Sequence, residues 1–232
     1  MITGSGLAPE DVVAAGTTTE VDVDGTGVIL RVDGDVVAMG RHGPDRRTPA
    51  HRVDHHANLA ALAAVGCDRV LGLASTGSLR LDWEVGTVVA PADFFAPWAS
   101  PSRYEDLRGH TVPGLDPVWR AEVLAAWRSI TGIPIVDGGV YVQVTGPRFE
   151  TPAEIRFFAT VGDLVGMTMA SECVLARELG LAYASVCVID NLANGLRPTP
   201  LTVEEFEAGV AANRARLAPA VVEVVKHLAG GP

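Results

Sequence analysis

Basic residues are scarce in this chain, and lysine is almost absent. The chain has 18 lysine and arginine residues against 28 aspartate and glutamate residues, and Lys226 is its single lysine. The formal net charge of −10 at pH 7 argues against a surface for nucleic acid or anionic membranes, because both need clustered positive charge. An anionic ligand would therefore need a local site built from arginine.

Cysteine and long apolar runs are also scarce. Cys67, Cys173 and Cys187 lie in apolar runs without metal-ligand spacing, and their odd number argues against a disulfide framework. No run approaches the roughly 18 uninterrupted apolar residues of a membrane helix, and the amino terminus shows no basic segment followed by an apolar one. We expect a soluble, cytoplasmic protein with buried thiols.

What is present is a large apolar fraction in short runs. The chain has 232 residues, of which 48% are hydrophobic, and this predicts one compact domain over residues 1–232. Short β-branched runs alternate with helical patterns, which predicts an α/β fold with a mixed, largely parallel central sheet flanked by helices. The predicted strands are "GVILRV", "VVAMG", "RVLGLAS", "TVVAPADFF", "GVYVQVTG" and "YASVCVID". The predicted helices are "HHANLAALAAVG", "PVWRAEVLAAWRSITG", "TPAEIRFFATVG", "ASECVLARELG" and "TVEEFEAGVAANRARLAPAVVEVVKHLA".

Small polar residues follow several of the predicted strands, where open α/β sheets bind their ligands. These segments are "TGSGL" (3–7), "GRHG" (40–43), "ASTGSL" (74–79) and "VGMTMASE" (165–172). The third predicts a turn after its strand and a possible anion nest, and Arg41 beside His42 suits a doubly charged oxyanion. Each segment alone is also compatible with an ordinary turn or a solvated loop. Residues 96–117 have no periodicity and predict a long loop.

Longer motifs surround these segments. "GRHG", "PAHRVDHHANLAAL", "GLASTGSLR", "GPRFETPAEIR" and "VGMTMASECVLARELGLAYASVCV" occur in this order. Together they resemble the trimeric purine nucleoside phosphorylase and methylthioadenosine phosphorylase family, from about Ser5 to at least Asn191. The resemblance implies the single-domain phosphorylase fold. It also implies an enzyme in which inorganic phosphate attacks the anomeric carbon of a purine nucleoside, giving the free base and a sugar 1-phosphate.

The resemblance implies a phosphate site that consists of Ser5, Arg41, His42, Ala74, Ser75 and Thr168. Several hydroxyl and N–H donors with one guanidinium suit a phosphate dianion at pH 7. Phosphate is then a co-substrate, and neither a cofactor nor a metal is required. The histidines of "HRVDHH" offer an alternative metal site, but no other cluster of histidine, cysteine or carboxylate has zinc-like spacing. For these histidines, a surface position at the start of a helix or a subunit contact is favoured over a metal site.

The resemblance also implies a set of nucleoside-binding residues, with Asn191 as the catalytic one that faces N7 of the purine. The set comprises Phe149, Glu150, Met167, Asn191, Ala193, Leu201 and His110. In the adenine-specific branch of the family, the positions of Asn191 and Glu150 carry an aspartate and a small hydroxyl residue. An asparagine donates to O6 and accepts N7–H, and an ionised glutamate accepts N1–H, so this pair favours a 6-oxopurine such as hypoxanthine or guanine. The alternative is that Glu150 only caps the helix begun by "TPAE" and Asn191 only turns a loop.

The sequence contains fewer indications of the residues that would bind the sugar. Relatives that take ordinary nucleosides hold the 5′-hydroxyl with a histidine near the last helix, and "PTPLTVEEFEAG" has none. Leu201 and Val203 are candidates for an apolar 5′ pocket, which favours S-methyl-5′-thioinosine. Inosine or guanosine and S-methyl-5′-thioadenosine are the alternative substrates. The resemblance further implies a homotrimer in which His110 reaches a neighbour's pocket.

Two departures from the family pattern concern the start of the chain and the "HRVDHH" segment. The first strand is reduced to Met1 and Ile2, which indicates either a short strand or a true start upstream. His55 and His56 replace a tyrosine and a basic residue.

Two other functions stay open. The first is a nucleosidase that uses water, in which Arg41, His42 and Thr168 would lack a ligand. The second is a non-catalytic purine-binding protein, for which the sequence has no positive feature.

Overall fold

The computed structural model describes residues 1–230, so the last two residues of the domain predicted over 1–232 lie outside it. The strands are β1 (Ile2–Thr3), β2 (Thr17–Val23), β3 (Thr26–Asp33), β4 (Val36–Gly40), β5 (Arg69–Ser78), β6 (Val88–Ala90), β7 (Asp93–Phe95), β8 (Ile135–Asp137), β9 (Val140–Gln143), β10 (Leu164–Gly166) and β11 (Ala182–Leu192). The helices are α1 (Pro9–Val12), α2 (His55–Ala64), α3 (Pro117–Ile130), α4 (Pro152–Phe158), α5 (Met169–Glu178) and α6 (Val203–Gly230). The five predicted helices are thus confirmed.

All the strands belong to one 11-stranded sheet, in which β5 is central. One edge of β5 pairs with β11 along its whole length, and the other edge pairs first with β1 and then with β10. Within residues 1–230, six of the ten strand pairings are parallel. This confirms the predicted α/β class and the mixed, largely parallel sheet.

Helices cover both faces of the sheet. Helices α2 and α5 pack on one face around a core that includes Leu59 and Leu175, and α1, α3 and α6 pack on the other around Trp127 and Leu217. The starts of the helices are set by local side chains. Asp54 accepts a hydrogen bond from the backbone of α2, and Asp116 does the same for α3, which satisfies backbone donors that have no partner within the helix.

The predicted strands are present, but one of them is divided. "TVVAPADFF" forms two strands, because Pro91 has no N–H for a sheet hydrogen bond and interrupts the pairing. β6 pairs with β11 and β8, whereas β7 pairs with β9. The first strand, expected to be short, is β1 with two residues, and three further strands, β2, β8 and β10, were not predicted from the sequence.

The segment "ASTGSL" is not the turn that its small residues predict. β5 continues through Ser75, Thr76 and Gly77 to Ser78, and β11 and β10 supply hydrogen-bonding partners on its two edges. Pairing on both edges outweighs the weak strand propensity of serine and glycine. The polar groups of this segment therefore lie along an extended strand and not in an anion nest.

The long loop predicted for residues 96–117 is confirmed. Its only regular element within the described part of the chain is a 3-10 turn, Leu107–Gly109, before α3 begins at Pro117. Glu178 at the end of α5 holds the loop by accepting hydrogen bonds from Ser102 Oγ (2.8 Å) and the Arg103 N–H (2.6 Å). Within residues 1–230, no helix combines the length and apolarity that crossing a membrane requires.

Candidate active site

A cleft with about 830 Å³ of empty space opens beside the carboxyl ends of β4, β5, β10 and β11. It brings together most of the predicted site residues from distant parts of the chain. Those in its lining are Ser5, Arg41, His42, Ser75, Phe149, Glu150, Met167, Thr168, Asn191 and Ala193. The phosphate-site candidates and the base-site candidates thus share one cavity.

Arg41 is buried at one end of the cleft and is held by three acceptor atoms. Its Nε and Nη2 donate to the two carboxylate oxygens of Glu172, the latter over 3.0 Å, and Nη1 donates to the Leu73 carbonyl over 2.7 Å. Tyr183 donates its hydroxyl to the same carboxylate over 2.7 Å. A guanidinium has five N–H groups, so two remain for a ligand in the cleft.

Glu172 is fully buried, and the sequence did not identify it as a site residue. Burial alone would raise the pKa of Glu172, but the Arg41 charge and the hydrogen bonds from Arg41 and Tyr183 together keep that pKa below its ordinary value. Burial alone would likewise lower the pKa of Arg41, and Glu172 reverses that effect. Both groups are therefore ionised at neutral pH, and Glu172 fixes the guanidinium in one orientation.

His42 follows Arg41 and lines the same end of the cleft. Its Nδ1–H donates to the Thr48 carbonyl over 2.8 Å. Burial lowers the pKa of His42 below 6.5, and the Arg41 charge lowers it further, so the ring is neutral at pH 7. With its hydrogen on Nδ1, the ring offers Nε2 as an acceptor, which suits the P–OH group of hydrogen phosphate.

Two hydroxyl groups complete this end of the cleft. Ser75 Oγ is buried and has no hydrogen-bond partner of normal geometry among residues 1–230. Within the same residues, the Thr168 hydroxyl does not cap α5, and the Ser171 N–H that such a cap would accept donates instead to Gln143 Oε1 over 3.1 Å. The Thr168 hydroxyl is therefore available to donate to an oxyanion, whereas the Ser75 hydroxyl also lies within reach of the Asp190 carboxylate and helps to lower the pKa of that group against the effect of burial.

The bend at residues 146–150 contributes Pro147, Phe149 and Glu150 to the lining of the cleft. Gly146 has φ of 63°, and a Cβ atom at this position would lie 2.5 Å from Met167 Sδ, so a side chain there would collide with the wall of the cleft. Thr151 and Glu154 form a capping box at the start of α4, and Glu154 also pairs with Arg148 over 2.7 Å. The helix cap therefore does not involve the Glu150 side chain.

Glu150 itself is only 8% exposed and lines the cleft. Its carbonyl accepts a hydrogen bond from Asn194 Nδ2 over 2.8 Å, which fixes its backbone. Burial raises the pKa of its carboxyl above 4.5, and the nearby Glu154 raises it further. A buried carboxylate with a raised pKa needs a donor, and a ligand N–H in the cleft would supply one.

Asn191 lies near the end of β11 and is 4% exposed. Its Nδ2 donates to the Leu192 carbonyl over 2.9 Å, which orients the amide. A Cβ atom on Gly77 of the neighbouring strand would lie 3.1 Å from Asn191 Nδ2, so glycine leaves room for the asparagine. Asn191 and Glu150 thus present an amide and a carboxylate to the same cavity.

Phe206, on the first turns of α6, also lines the cleft and was not predicted from the sequence. Its ring meets that of Phe149 edge-on, with the centroids 5.7 Å apart. The pair forms an apolar wall next to the base-site candidates. The only signal in the sequence was an aromatic residue at the start of a helix, three positions after Val203.

Three predicted residues lie outside the lining of the cleft. Ala74 is buried in β5 next to Ser75. Leu201 donates its N–H to Asn194 Oδ1 over 3.2 Å, which places it behind the Glu150 backbone. His110 is exposed in the 96–117 loop, so a role in a neighbour's pocket stays a prediction.

The "HRVDHH" segment places a histidine near Arg41 and Glu172. His55 begins α2, and its Nδ1 lies 3.9 Å from Glu172 Oε1. Burial lowers the pKa of His55 to about 4, although the Glu172 charge opposes this shift. Among the residues that the structure describes, no group of three or more histidine, cysteine or carboxylate side chains is arranged to hold a metal ion.

Comparisons with known proteins identify the family of the chain. The model of the phosphorylase superfamily matches residues 1–226. The chain is 38% identical over 212 residues to a protein of Archaeoglobus fulgidus named probable 6-oxopurine nucleoside phosphorylase, covering 91% of this chain and 85% of the relative. It is 37% identical over 217 residues to a probable S-methyl-5′-thioinosine phosphorylase of Methanopyrus kandleri, covering 90% and 80% of the two chains.

Solved structures agree on the fold. Methylthioadenosine phosphorylase from Schistosoma mansoni, in complex with adenine, has a TM-score of 0.85, and the match covers 100% of this chain and 91% of that one. The identity is 24%, so this likeness concerns the fold alone. The family match and the relatives confirm the resemblance seen in the motifs, and the chain belongs to the phosphorylase superfamily.

Proposed function

We propose that the protein catalyses the phosphorolysis of 6-oxopurine nucleosides, with S-methyl-5′-thioinosine as the preferred substrate. The products are hypoxanthine and 5-methylthioribose 1-phosphate. The observation that carries this proposal is that Glu150 and Asn191 share one cleft with Arg41, Ser75 and Thr168. The names of two relatives, a probable 6-oxopurine nucleoside phosphorylase and a probable S-methyl-5′-thioinosine phosphorylase, support it.

In the proposed reaction, a phosphate oxygen attacks C1′ of the sugar while the bond from C1′ to N9 breaks. The electron pair of that bond moves into the purine, and positive charge develops on the sugar. Arg41, Ser75 and Thr168 hold the phosphate below the sugar. N7 of the departing purine takes a proton from solvent, and Asn191 stabilises the protonated base by accepting N7–H. The residues supply position and electrostatic stabilisation, so phosphate is the co-substrate and no cofactor takes part.

The choice of base depends on the pair of Glu150 and Asn191. A 6-oxopurine presents N1–H to the ionised carboxylate of Glu150 and O6 to the amide hydrogen of Asn191 that is not bonded to the Leu192 carbonyl. Adenine would instead direct the lone pair of N1 at that carboxylate. The burial of both side chains supports this proposal, because a mismatched polar group in a buried site costs a few kcal/mol.

The 5′ substituent is proposed to be apolar. Phe206 and Phe149 form an apolar wall of the cleft, and a methylthio group gains more than a hydroxyl from contact with aromatic rings. Val203, by contrast, is 55% exposed. The proposed 5′ contact is therefore with Phe206, while the role predicted for Leu201 stays a prediction.

We also propose that the protein is a cytoplasmic homotrimer. In the 96–117 loop, the side chains of Leu107 and Val112 are 77% and 87% exposed, and His110 lies between them. Contact with a neighbouring subunit would bury these apolar side chains and bring His110 to the neighbour's cleft. Light scattering should give three times the chain mass, and a fully active monomer at nanomolar concentration would contradict the trimer.

The experiment that tests the proposed function is a product assay with S-methyl-5′-thioinosine in the presence and absence of phosphate. Phosphorolysis requires hypoxanthine release to depend on phosphate, with one sugar 1-phosphate formed for each base. Release that continues in phosphate-free buffer, with free methylthioribose as the product, would instead identify a nucleosidase. Binding without release of base would identify a non-catalytic protein.

A further inference from the structure

A β-bulge lies next to Asn191. Along β11 the register runs in step with β5 as far as Ile189, which pairs with Thr76, and then Asn191 pairs with Gly77. Asp190 is therefore the extra residue of the bulge. A bulge changes the direction of the side chain that follows it, and here the following side chain is Asn191.

The bulge is held by a side chain from α6. Asn213 is buried, and its Nδ2 donates to the Ile189 carbonyl over 3.0 Å and to Asp190 Oδ1 over 2.7 Å. Both amide hydrogens of Asn213 are therefore used on the bulge. The Ile189 carbonyl also accepts from the Gly86 N–H over 2.8 Å, so the chain is held from two sides at this point.

Gly209, one turn before Asn213, lets α6 contact the bulge directly. A Cβ atom at Gly209 would lie 1.9 Å from the Asp190 carbonyl oxygen and 2.9 Å from its carbonyl carbon. These atoms are backbone, so they cannot move aside as a flexible side chain would. Residues four apart lie on one face of a helix, and this face of α6 is thus fitted to the bulge.

We infer that Asn213 and Gly209 are positioning residues, which hold the Asp190 bulge and thereby direct the Asn191 amide at the purine. The inference rests on the proposed role of Asn191 in reading the base. Neither residue lines the cleft. Because α6 also carries Phe206, one helix supports both the apolar wall that is proposed to meet the 5′ substituent and the amide that is proposed to recognise the base.

The test is the ratio of kcat/KM for S-methyl-5′-thioinosine over S-methyl-5′-thioadenosine. We expect Asn213→Ala to lower this ratio at least about tenfold, because a misdirected amide loses the distinction between O6 and an amino group. The KM for phosphate should stay within about threefold, because the Arg41 and Thr168 side chains of the proposed phosphate site make no hydrogen bond to the bulge among the described residues. A purely structural loss would lower both rates equally and leave the ratio unchanged.

The matched control is Leu217→Ala. Leu217 lies one turn further along α6, is 2% exposed and packs in the apolar core without a hydrogen bond to β11 among the described residues. This variant should lower the melting temperature but leave the ratio within about twofold of the unmodified protein. A drop in the ratio equal to that of Asn213→Ala would overturn the inference, because loosening α6 would then be sufficient.

A second pair of variants keeps the volume at residue 213. Asn213→Asp has no amide hydrogens and sets a carboxylate against Asp190, so it should lower the ratio as Asn213→Ala does. The double variant Asp190→Asn with Asn213→Asp restores a donor and an acceptor across the contact and should regain part of the loss. If the ratio is high in the unmodified protein and stays high in Asn213→Ala and Asn213→Asp, the inference about Asn213 is overturned, but the proposed base preference is not. A ratio below one in the unmodified protein overturns the proposed base preference as well.

Discussion

The guanidinium of Arg41 and the carboxylate of Glu172 form a two-point ion pair in the interior, beside the part of the cleft proposed to bind phosphate. The contact joins residues that are 131 positions apart in the chain, and both side chains are at most 2% exposed. Glu172 neutralises the buried charge and leaves two N–H groups of Arg41 for the ligand. The site can therefore hold a buried guanidinium before phosphate binds.

The first prediction concerns stability. Glu172→Gln should lower the free energy of unfolding by about 3 kcal/mol, because removing one partner leaves the other as an uncompensated buried charge. Denaturant unfolding of both proteins measures the difference. Glu223→Gln is the control, since its pair with Lys226 is exposed and should contribute less than about 1 kcal/mol. Equal effects of the two variants would contradict a special role for the buried pair.

The second prediction concerns phosphate. Arg41→Ala should lower kcat/KM for phosphate at least about a hundredfold, because it removes the charged clamp on the nucleophile. The double variant Arg41→Ala with Glu172→Gln separates catalysis from folding: it should regain stability but not activity. Phosphate-dependent turnover that survives in either variant would mean that the nucleophile binds elsewhere.

The third prediction is a pH dependence that comes from Glu150. Because the pKa of Glu150 is raised above 4.5, the carboxylate gains a proton at a higher pH than an ordinary glutamate. The protonated carboxyl is a hydrogen-bond donor. It therefore faces another donor at N1–H of a 6-oxopurine, but it can donate to N1 of adenine, which carries no hydrogen. The ratio of kcat/KM for the methylthioinosine and methylthioadenosine substrates should therefore fall as the pH falls through that raised pKa.

Taking a ratio removes the titration of phosphate itself, which affects both substrates equally. Glu150→Gln cannot ionise and is the control, so its ratio should not change with pH. A flat ratio in the unmodified protein, or the same slope in Glu150→Gln, would show that Glu150 does not contact the base.

The fourth prediction concerns the sugar end. Phe206→Ala should lower the preference for S-methyl-5′-thioinosine over inosine about tenfold, because the methylthio group loses its apolar contact while a hydroxyl loses little. The ratio of the two kcat/KM values is the measurement. Phe157→Ala removes a ring that is 54% exposed outside the cleft and should leave the ratio unchanged. A preference for inosine in the unmodified protein would contradict the apolar 5′ site.

The sequence predicted the parts of the site that follow local rules. Arg41 directly follows the predicted strand β4, and Thr168 directly precedes the predicted helix α5, which are positions where open α/β sheets bind their ligands. The hairpin of β2 and β3 also has a local signal, the Asp24-Gly25 pair between the two strands. Asp24 and Gly25, with φ of 51° and 84°, form the two-residue turn that an aspartate-glycine pair favours.

Other parts depend on contacts that no local pattern contains. "ASTGSL" has the composition of a turn, but it is extended because β10 and β11 pair with it on both edges. Glu172 resembles any acidic residue in a helix until the fold brings Arg41 to it. Asn213 and Phe206 lie on α6, and only the packing of that helix determines which of its residues face β11 or the cleft.

The measurement that tests the central claim most directly is the substrate preference of the unmodified protein. The central claim is that Glu150 and Asn191 together recognise a 6-oxopurine. With phosphate in excess, kcat/KM for S-methyl-5′-thioinosine should exceed that for S-methyl-5′-thioadenosine at least about a hundredfold, from the cost of mismatched buried polar groups. A ratio below one would contradict the claim.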